Sequence, residues 1–210
     1  MSAIAVVLFD AMDTLVRDPA YHELPAHFGL EADELFRELQ PGLWDSFERG
    51  QLAEEDYFRR LFLDGRPVEG EAMKAALFAG YRWLPGMREL LSELGEAGAE
   101  MHILSNYPCW YRELDARLGL SRFLPWSFVS CQTGVRKPEP EAYLGALREL
   151  GRRPAECLFV DDRLRNVEAA RACGLNGHHF GRAETLRAEL VELALLGPEP
   201  GSGGALSVRK

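Results

Sequence analysis

Four short segments concentrate the residues able to do polar chemistry. FDAMDTL carries Asp10, Asp13 and Thr14 around Met12; LSN carries Ser105 and Asn106; GVRKPEP carries Lys137; FVDDRLRN carries Asp161, Asp162 and Asn166. Two groups of carboxylates, a hydroxyl and an ammonium suit a hard divalent cation and an anionic substrate, because crowded carboxylates repel one another until cations neutralise them. Each residue alone has a plainer use: Asp10 and Asp13 can close a turn, Asp162 can cap a helix, Ser105 can be a loop hydroxyl and Lys137 a solvated charge. Their joint occurrence, in this order, argues for a site. Lysine usage points the same way. The chain has only three lysines (Lys74, Lys137 and Lys210) among 24 basic residues, yet lysine stands at 137 beside Arg136. An ammonium is a compact point charge with movable donors, where a guanidinium is a broad fork.

The elements that must position these groups alternate. AIAVVLFD (3–10) is a continuous apolar run closed by aspartate, the pattern of a strand buried on both faces. Strand-like runs recur at 99–105, 127–131, 156–161 and 177–180. Between them lie helical patterns, such as Met87, Leu90, Leu91 and Leu94, or Tyr143, Ala146, Leu147 and Leu150, and a last helix carries Leu186, Leu190 and Leu193. The alternation predicts an α/β fold with a doubly wound parallel sheet, in which ligands bind beyond the carboxyl ends of the strands. All four polar segments fall at such ends. Residues 17–84 break the rhythm with helical patterns only and are too long for a crossover, so they predict a small helical subdomain inserted after the first strand. The expected organisation is a core of residues 1–16 and 85–196, a helical insert over 17–84 and a flexible tail over 197–210, where Gly197 to Gly204 reads GPEPGSGG.

Composition narrows the function classes. The net charge of −9 argues against nucleic acid or an anionic membrane as the main partner. No apolar stretch approaches the ~18–20 residues of a membrane span. The apolar run from Ala3 to Phe9 lacks a basic leader and ends on Asp10, unlike a signal peptide, so a cytoplasmic location is expected. The four cysteines form no CxxC pair and are expected as free, mostly buried thiols.

The four segments resemble the motifs of the haloacid dehalogenase (HAD) superfamily, over roughly residues 4–180. The similarity is closest to the phosphatase-like subfamily with a helical cap after the first strand: KPEPEAYLGAL followed by CLFVDDRLRNVEAARACGL is similar to its sugar-phosphate phosphatases and to the phosphatase domain of soluble epoxide hydrolase. The resemblance implies a Rossmann-like core, Mg²⁺ as cofactor and a small phosphorylated metabolite as substrate. It implies Asp10 as the nucleophile that forms an aspartyl-phosphate, Ser105 with Asn106 as phosphate ligands, and Lys137 as the cation holding nucleophile and phosphate together. It further implies a metal site of Asp10, the backbone carbonyl of Met12, and Asp162 with its neighbour Asp161. Asn166 stands where many relatives have a second acid.

Met12 departs from that pattern. Phosphatases of the family carry there a second aspartate, which protonates the leaving alkoxide and later activates water; methionine can do neither, and losing general acid–base catalysis costs ~10²–10⁴ in rate. Asp13, one residue on, should point differently. Three readings follow: a Mg²⁺-dependent phosphatase slowed at its proton transfers, a catalytically quiet metal- and phosphate-binding protein, and a 2-haloacid dehalogenase, whose halide product needs no proton. A phosphonate hydrolase would need a cap lysine, and Lys74 lies near the wrong end of the insert. Trp44, Phe47, Tyr57 and Phe58 read as core of the insert, Arg163 and Arg165 as exposed charges able to cradle phosphate, and His178 and His179 as strand neighbours facing opposite ways.

Overall fold

Val6 to Phe9 are completely buried at every position, which only a strand covered on both faces achieves. The computed structural model, which describes residues 3–198, places them as β1 (Val6–Phe9) at the centre of a five-stranded sheet. Five helices follow: α1 (Glu23–Phe28), α2 (Ala32–Glu38), α3 (Leu43–Glu48), α4 (Glu54–Arg59) and α5 (Gly70–Ala79). Then come α6 (Met87–Glu96), β2 (Glu100–Ser105), α7 (Tyr111–Leu118), β3 (Phe128–Val129), α8 (Ser130–Thr133) and α9 (Pro140–Leu150). The chain closes with β4 (Cys157–Asp161), α10 (Leu164–Ala172), β5 (Asn176–His179) and α11 (Ala183–Glu192). Most of the stretch read as a tail, 199–210, lies outside the described residues.

All strands are parallel, in the order β3-β2-β1-β4-β5. The chain winds outward from β1 through β2 to β3, then returns to β4 on the other side of β1. This is the doubly wound α/β architecture, with its switch point between β1 and β4. Alternation along β1 divides the core. Val7 and Phe9 pack with Leu91 and Leu94 of α6 and Leu186 and Leu190 of α11, while Val6 and Leu8 pack with Tyr143 and Leu147 of α9 and Ala170 of α10. Among the described residues, no helix is long and apolar enough to cross a membrane. The four cysteines are free, but only Cys157 is fully buried and Cys109 is exposed, because Cys109 lies in the loop after β2 rather than in the sheet.

The run SFVSC is not a strand throughout: β3 stops at Val129 and Ser130 opens α8. The buried Ser130 hydroxyl accepts the Tyr107 N–H at 3.0 Å and donates to the Glu48 carbonyl, which pulls the chain off the sheet. That bond also joins the helical insert to the core. Gly50, with φ of 70°, lies so close to the Cys131 carbonyl that a side chain would collide with it. The insert enters and leaves through two adjacent segments, where Arg17 N donates to Arg82 O at 2.9 Å and Leu84 N to Leu15 O at 3.0 Å.

Candidate active site

The site begins where β1 ends. The Asp10 N–H still donates to Val160 O at 2.9 Å, so Asp10 is fixed by the sheet, and the chain then leaves in one tight turn. Leu15 N and Val16 N both donate to Ala11 O, and Asp13 adopts a left-handed φ of 52°. Thr14, fully buried in this turn, accepts the Asp162 N–H at 3.1 Å on its hydroxyl and so ties the ends of β1 and β4 together. Asp10, Asp161 and Asp162 each offer an oxygen to a group within 4.8 Å of one another.

Lys137 enters this acidic cluster from the loop before α9. Its ammonium, 1% exposed, donates to Asp10 Oδ1 at 2.6 Å and to Asp161 Oδ2 at 2.8 Å. Burial disfavours the ammonium, but attraction to Asp10 and Asp161 outweighs it and holds the lysine above its usual pKa. One ammonium does not neutralise three carboxylates. Burial, opposed by Lys137 and reinforced by Asp161, pushes Asp10 up to about 6. Burial, with repulsion from Asp10 and Asp161, pushes Asp162 up to about 7. The two aspartates of β4 differ in their commitments. Asp161 is saturated, accepting Lys137, the Arg163 N–H at 2.8 Å and the Asn166 amide at 3.0 and 3.1 Å. Among the described residues no hydrogen bond engages the Asp162 carboxylate, which leaves its oxygens available.

The cluster opens into a cavity of about 580 Å³ roofed by the insert. Trp44, Tyr57, Tyr81, Tyr107 and Trp110 give it aromatic walls, and Met12, Leu24 and Leu77 add aliphatic surface. The Tyr81 and Tyr107 hydroxyls hydrogen-bond to each other. At the mouth, Tyr21 and Phe36 are exposed and pack with ring centroids 5.1 Å apart.

Residues 4–174 match the family of haloacid dehalogenase-like hydrolases. The chain belongs to this family. It is 42% identical over 192 residues to the chloroplastic flavin mononucleotide hydrolase 1 of Arabidopsis thaliana, covering 91% of this chain and 78% of that protein. It is 31% identical over 161 residues to a sesquiterpene phosphatase of Aspergillus oryzae, covering 71% of this chain and 78% of the relative. A HAD family enzyme from Bacteroides thetaiotaomicron shares the fold at a TM-score of 0.74 and 18% identity, over 90% of this chain and 99% of the other. The same enzyme has been solved with magnesium and inorganic phosphate, at a TM-score of 0.67 and 19% identity, over 86% of this chain and 96% of the other.

In this hydrolase, Asp10, Lys137, Asp161, Asp162 and Asn166 converge. Ser105 is buried at the end of β2, its hydroxyl without a partner among the described residues, and it lines not the large cavity but a neighbouring one of about 290 Å³ that shares Asn106 with it. The Asn106 side chain is spent on the main chain of Lys137. Asp13 does not line the large cavity, and its carboxylate accepts the Asp18 N–H at 2.8 Å. Arg163 and Arg165 are exposed and stand on the cavity wall. Phe47 stacks on Tyr57 at 4.4 Å within the core of the insert, while Trp44 and Tyr57 serve both as core and as wall. Lys74 is turned away into ion pairs with Glu54 at 2.8 Å and with Glu113. His178 is buried against Glu189 and His179 exposed, as strand alternation requires. Sequence reasoning passed over Asp18, Tyr81, Tyr107 and the buried Glu48–Arg136 pair, all of which line the cavity. Their only signal in the chain is a polar type inside a helical or linker pattern.

Proposed function

We propose that the protein is a Mg²⁺-dependent phosphomonoesterase that works through an aspartyl-phosphate on Asp10, with residues 17–84 as its cap. The observation that carries this reading is the buried Asp10–Lys137–Asp161 chain beside the uncommitted Asp162, with Asp10 and Lys137 lining the cavity. The donor set fits the cation. Converging carboxylate oxygens are hard ligands, and burial, with repulsion from neighbouring carboxylates added to it, raises Asp10 and Asp162, a cost that a bound cation would relieve. Asp10, Asp162 and the Met12 carbonyl would hold Mg²⁺, which when bound supplies charge neutralisation at the phosphoryl group. Asp161 serves as the acceptor that aims Lys137.

The chain's own residues do the rest. An Asp10 oxygen forms a bond to phosphorus as the ester P–O bond breaks, and water then displaces Asp10 from the phosphoryl group. Lys137 screens the repulsion between Asp10 and the incoming dianion. The unpartnered Ser105 hydroxyl offers a donor to phosphate oxygen. The substrate is a phosphorylated metabolite with a sizeable apolar or aromatic body, since Trp44, Tyr57, Tyr81, Tyr107 and Trp110 stand in the cavity wall and two of the relatives are named for flavin mononucleotide and a sesquiterpene. The test is a panel of phosphate esters, flavin mononucleotide included, with phosphonates and haloacids, each run with Mg²⁺ and with EDTA. Chelator-sensitive phosphate release, reduced roughly 10³-fold or more by Asp10→Asn, is expected. Chelator-indifferent halide release, or full activity of Asp10→Asn, overturns the reading.

A further inference from the structure

The position two residues after Asp10 holds a thioether, yet both displacements on a phosphate ester of an aliphatic alcohol involve a proton. The alkoxide must gain one, and the attacking water must lose one. The cavity wall contains four carboxylates that could supply it: Asp10, Asp18, Asp45 and Glu48. Asp10 is the nucleophile and is held by Lys137. Asp45 and Glu48 both have an oxygen against the Arg136 guanidinium, and Glu48 is 2% exposed. Among the described residues no ion pair engages Asp18, and this is the carboxyl left over.

Asp18 is also built into place. The turn after β1 folds back on itself through the Met12–Val16 bridge, so the segment leading to Asp18 runs beside Met12. The Asp18 main chain is pinned by the Asp13 carboxylate at 2.8 Å, and its Oδ1 accepts the Ala20 N–H at 2.9 Å. No hydrogen bond among the described residues occupies Oδ2, and Asp18 lines the cavity together with Met12. The groups that face it from neighbouring elements are Asp13 and Arg17 on its own segment, Arg163 before α10, and the Tyr81–Tyr107 hydroxyl pair after α5 and β2. Burial, reinforced by Asp13 and opposed by the Ala20 N–H, Arg163 and Arg17, raises the carboxyl above its usual value, the direction a proton donor near neutrality needs.

We propose that Asp18 is the proton carrier of the reaction, in the role Met12 cannot fill. The inference rests on the phosphomonoesterase reading. In the first displacement the protonated Asp18 Oδ2 gives its proton to the departing alkoxide, so the alcohol leaves neutral and Asp18 becomes a carboxylate. In the second, that carboxylate takes a proton from the water attacking phosphorus, the P–O bond to Asp10 breaks, and Asp10 regains its charge. Ester and water become alcohol and phosphate, with Asp18 restored.

Asp18→Asn keeps the bond to Ala20 and the volume while removing the proton. With an alkyl phosphate, kcat should fall by about 10²-fold or more, and with 4-nitrophenyl phosphate, whose leaving group needs no proton, a burst of one nitrophenolate per site should precede slow turnover. The dependence of kcat on leaving-group acidity should steepen, which a merely structural role would not produce. Met12→Asp placed in the Asp18→Asn background should recover alkyl phosphate turnover. A kcat for alkyl phosphates within about threefold of the unaltered protein, with no burst, overturns the role of Asp18. Because the parent's phosphate release and its loss in Asp10→Asn are measured on the same panel, failure of Asp18 is distinct from failure of the phosphatase reading.

Discussion

Asn106 and Lys137 exchange two hydrogen bonds, side chain to main chain: the Asn106 amide donates to the Lys137 carbonyl at 2.8 Å, and the Lys137 N–H donates to Asn106 Oδ1 at 2.8 Å. The amide imitates a peptide unit and extends the edge of β2 toward the loop before α9. The lysine backbone is thereby fixed at the distance from which its side chain spans Asp10 and Asp161.

Asn106→Ala therefore loosens the lysine without touching its charge. Two hydrogen bonds are lost and a buried N–H is left open, a cost of about 1–3 kcal/mol. The expected result is a kcat lowered roughly tenfold with KM little changed, since a misaimed ammonium acts on the transition state more than on binding. Steady-state kinetics with thermal unfolding checks it. A KM effect alone would place Asn106 on the substrate instead.

Lys137 tests charge against shape. Lys137→Met leaves Asp10 and Asp161 facing each other unpaired, and breaking a buried pair in this way costs about 3–5 kcal/mol. For a chain of this size that is a Tm lower by roughly 10 °C. Lys137→Arg keeps the charge but not the fit: a side chain 1% exposed, with both acceptors in direct contact, has no room for a planar fork. Both variants should lose activity, at least 10²-fold by the scale of preorganised electrostatic groups. Turnover by Lys137→Arg near the parent level would show that any cation suffices there.

Glu48 gives a pH prediction. Burial raises its carboxyl from 4.5 to about 7, even against Arg136. Between those values the folded protein keeps a proton that the unfolded chain has released. The unfolded state then binds fewer protons, so stability from this group falls as pH rises through the window. Glu48→Gln removes the titration. Its Tm should decline less than that of the parent between pH 4.5 and 7, and parallel curves would show that Arg136 keeps Glu48 ionised throughout.

The sheet could be read from the chain because its signals are local. Residues 3–9 are apolar in unbroken succession, and Asp10, Ser105 and Asp161 stand at or just past the ends of β1, β2 and β4. Convergence of Asp10, Lys137 and Asp161 follows once parallel strands at a switch point are inferred. The end of β3 could not be read, because Val129-Ser130-Cys131 looks like continued strand until Glu48 O and Tyr107 N–H, distant in sequence, claim the Ser130 hydroxyl. The cavity was out of reach for the same reason: Leu24, Trp44, Leu77 and Trp110 meet from α1, α3, α5 and the loop before α7. Asp18 reads as an ordinary linker aspartate, and the fold-back of Val16 onto Met12 is what brings its segment beside the loop after β1.

That assembled wall makes substrate size testable. Leu24 is half-buried in α1 and faces the cavity, so a larger side chain there takes up free volume without displacing the central core. Leu24→Trp should shorten the space for the ester's body while leaving Asp10, Lys137 and the phosphate end untouched. A bulky ester such as flavin mononucleotide should then lose about 10–100-fold in kcat/KM, whereas a two-carbon phosphate should lose little, because steric exclusion acts only on atoms that reach the wall. Competition between the two esters in one assay gives the ratio directly. An equal loss for both would mean that the body of the substrate lies elsewhere, along the rim of Tyr21 and Phe36, and that the aromatic interior serves to hold the cap together.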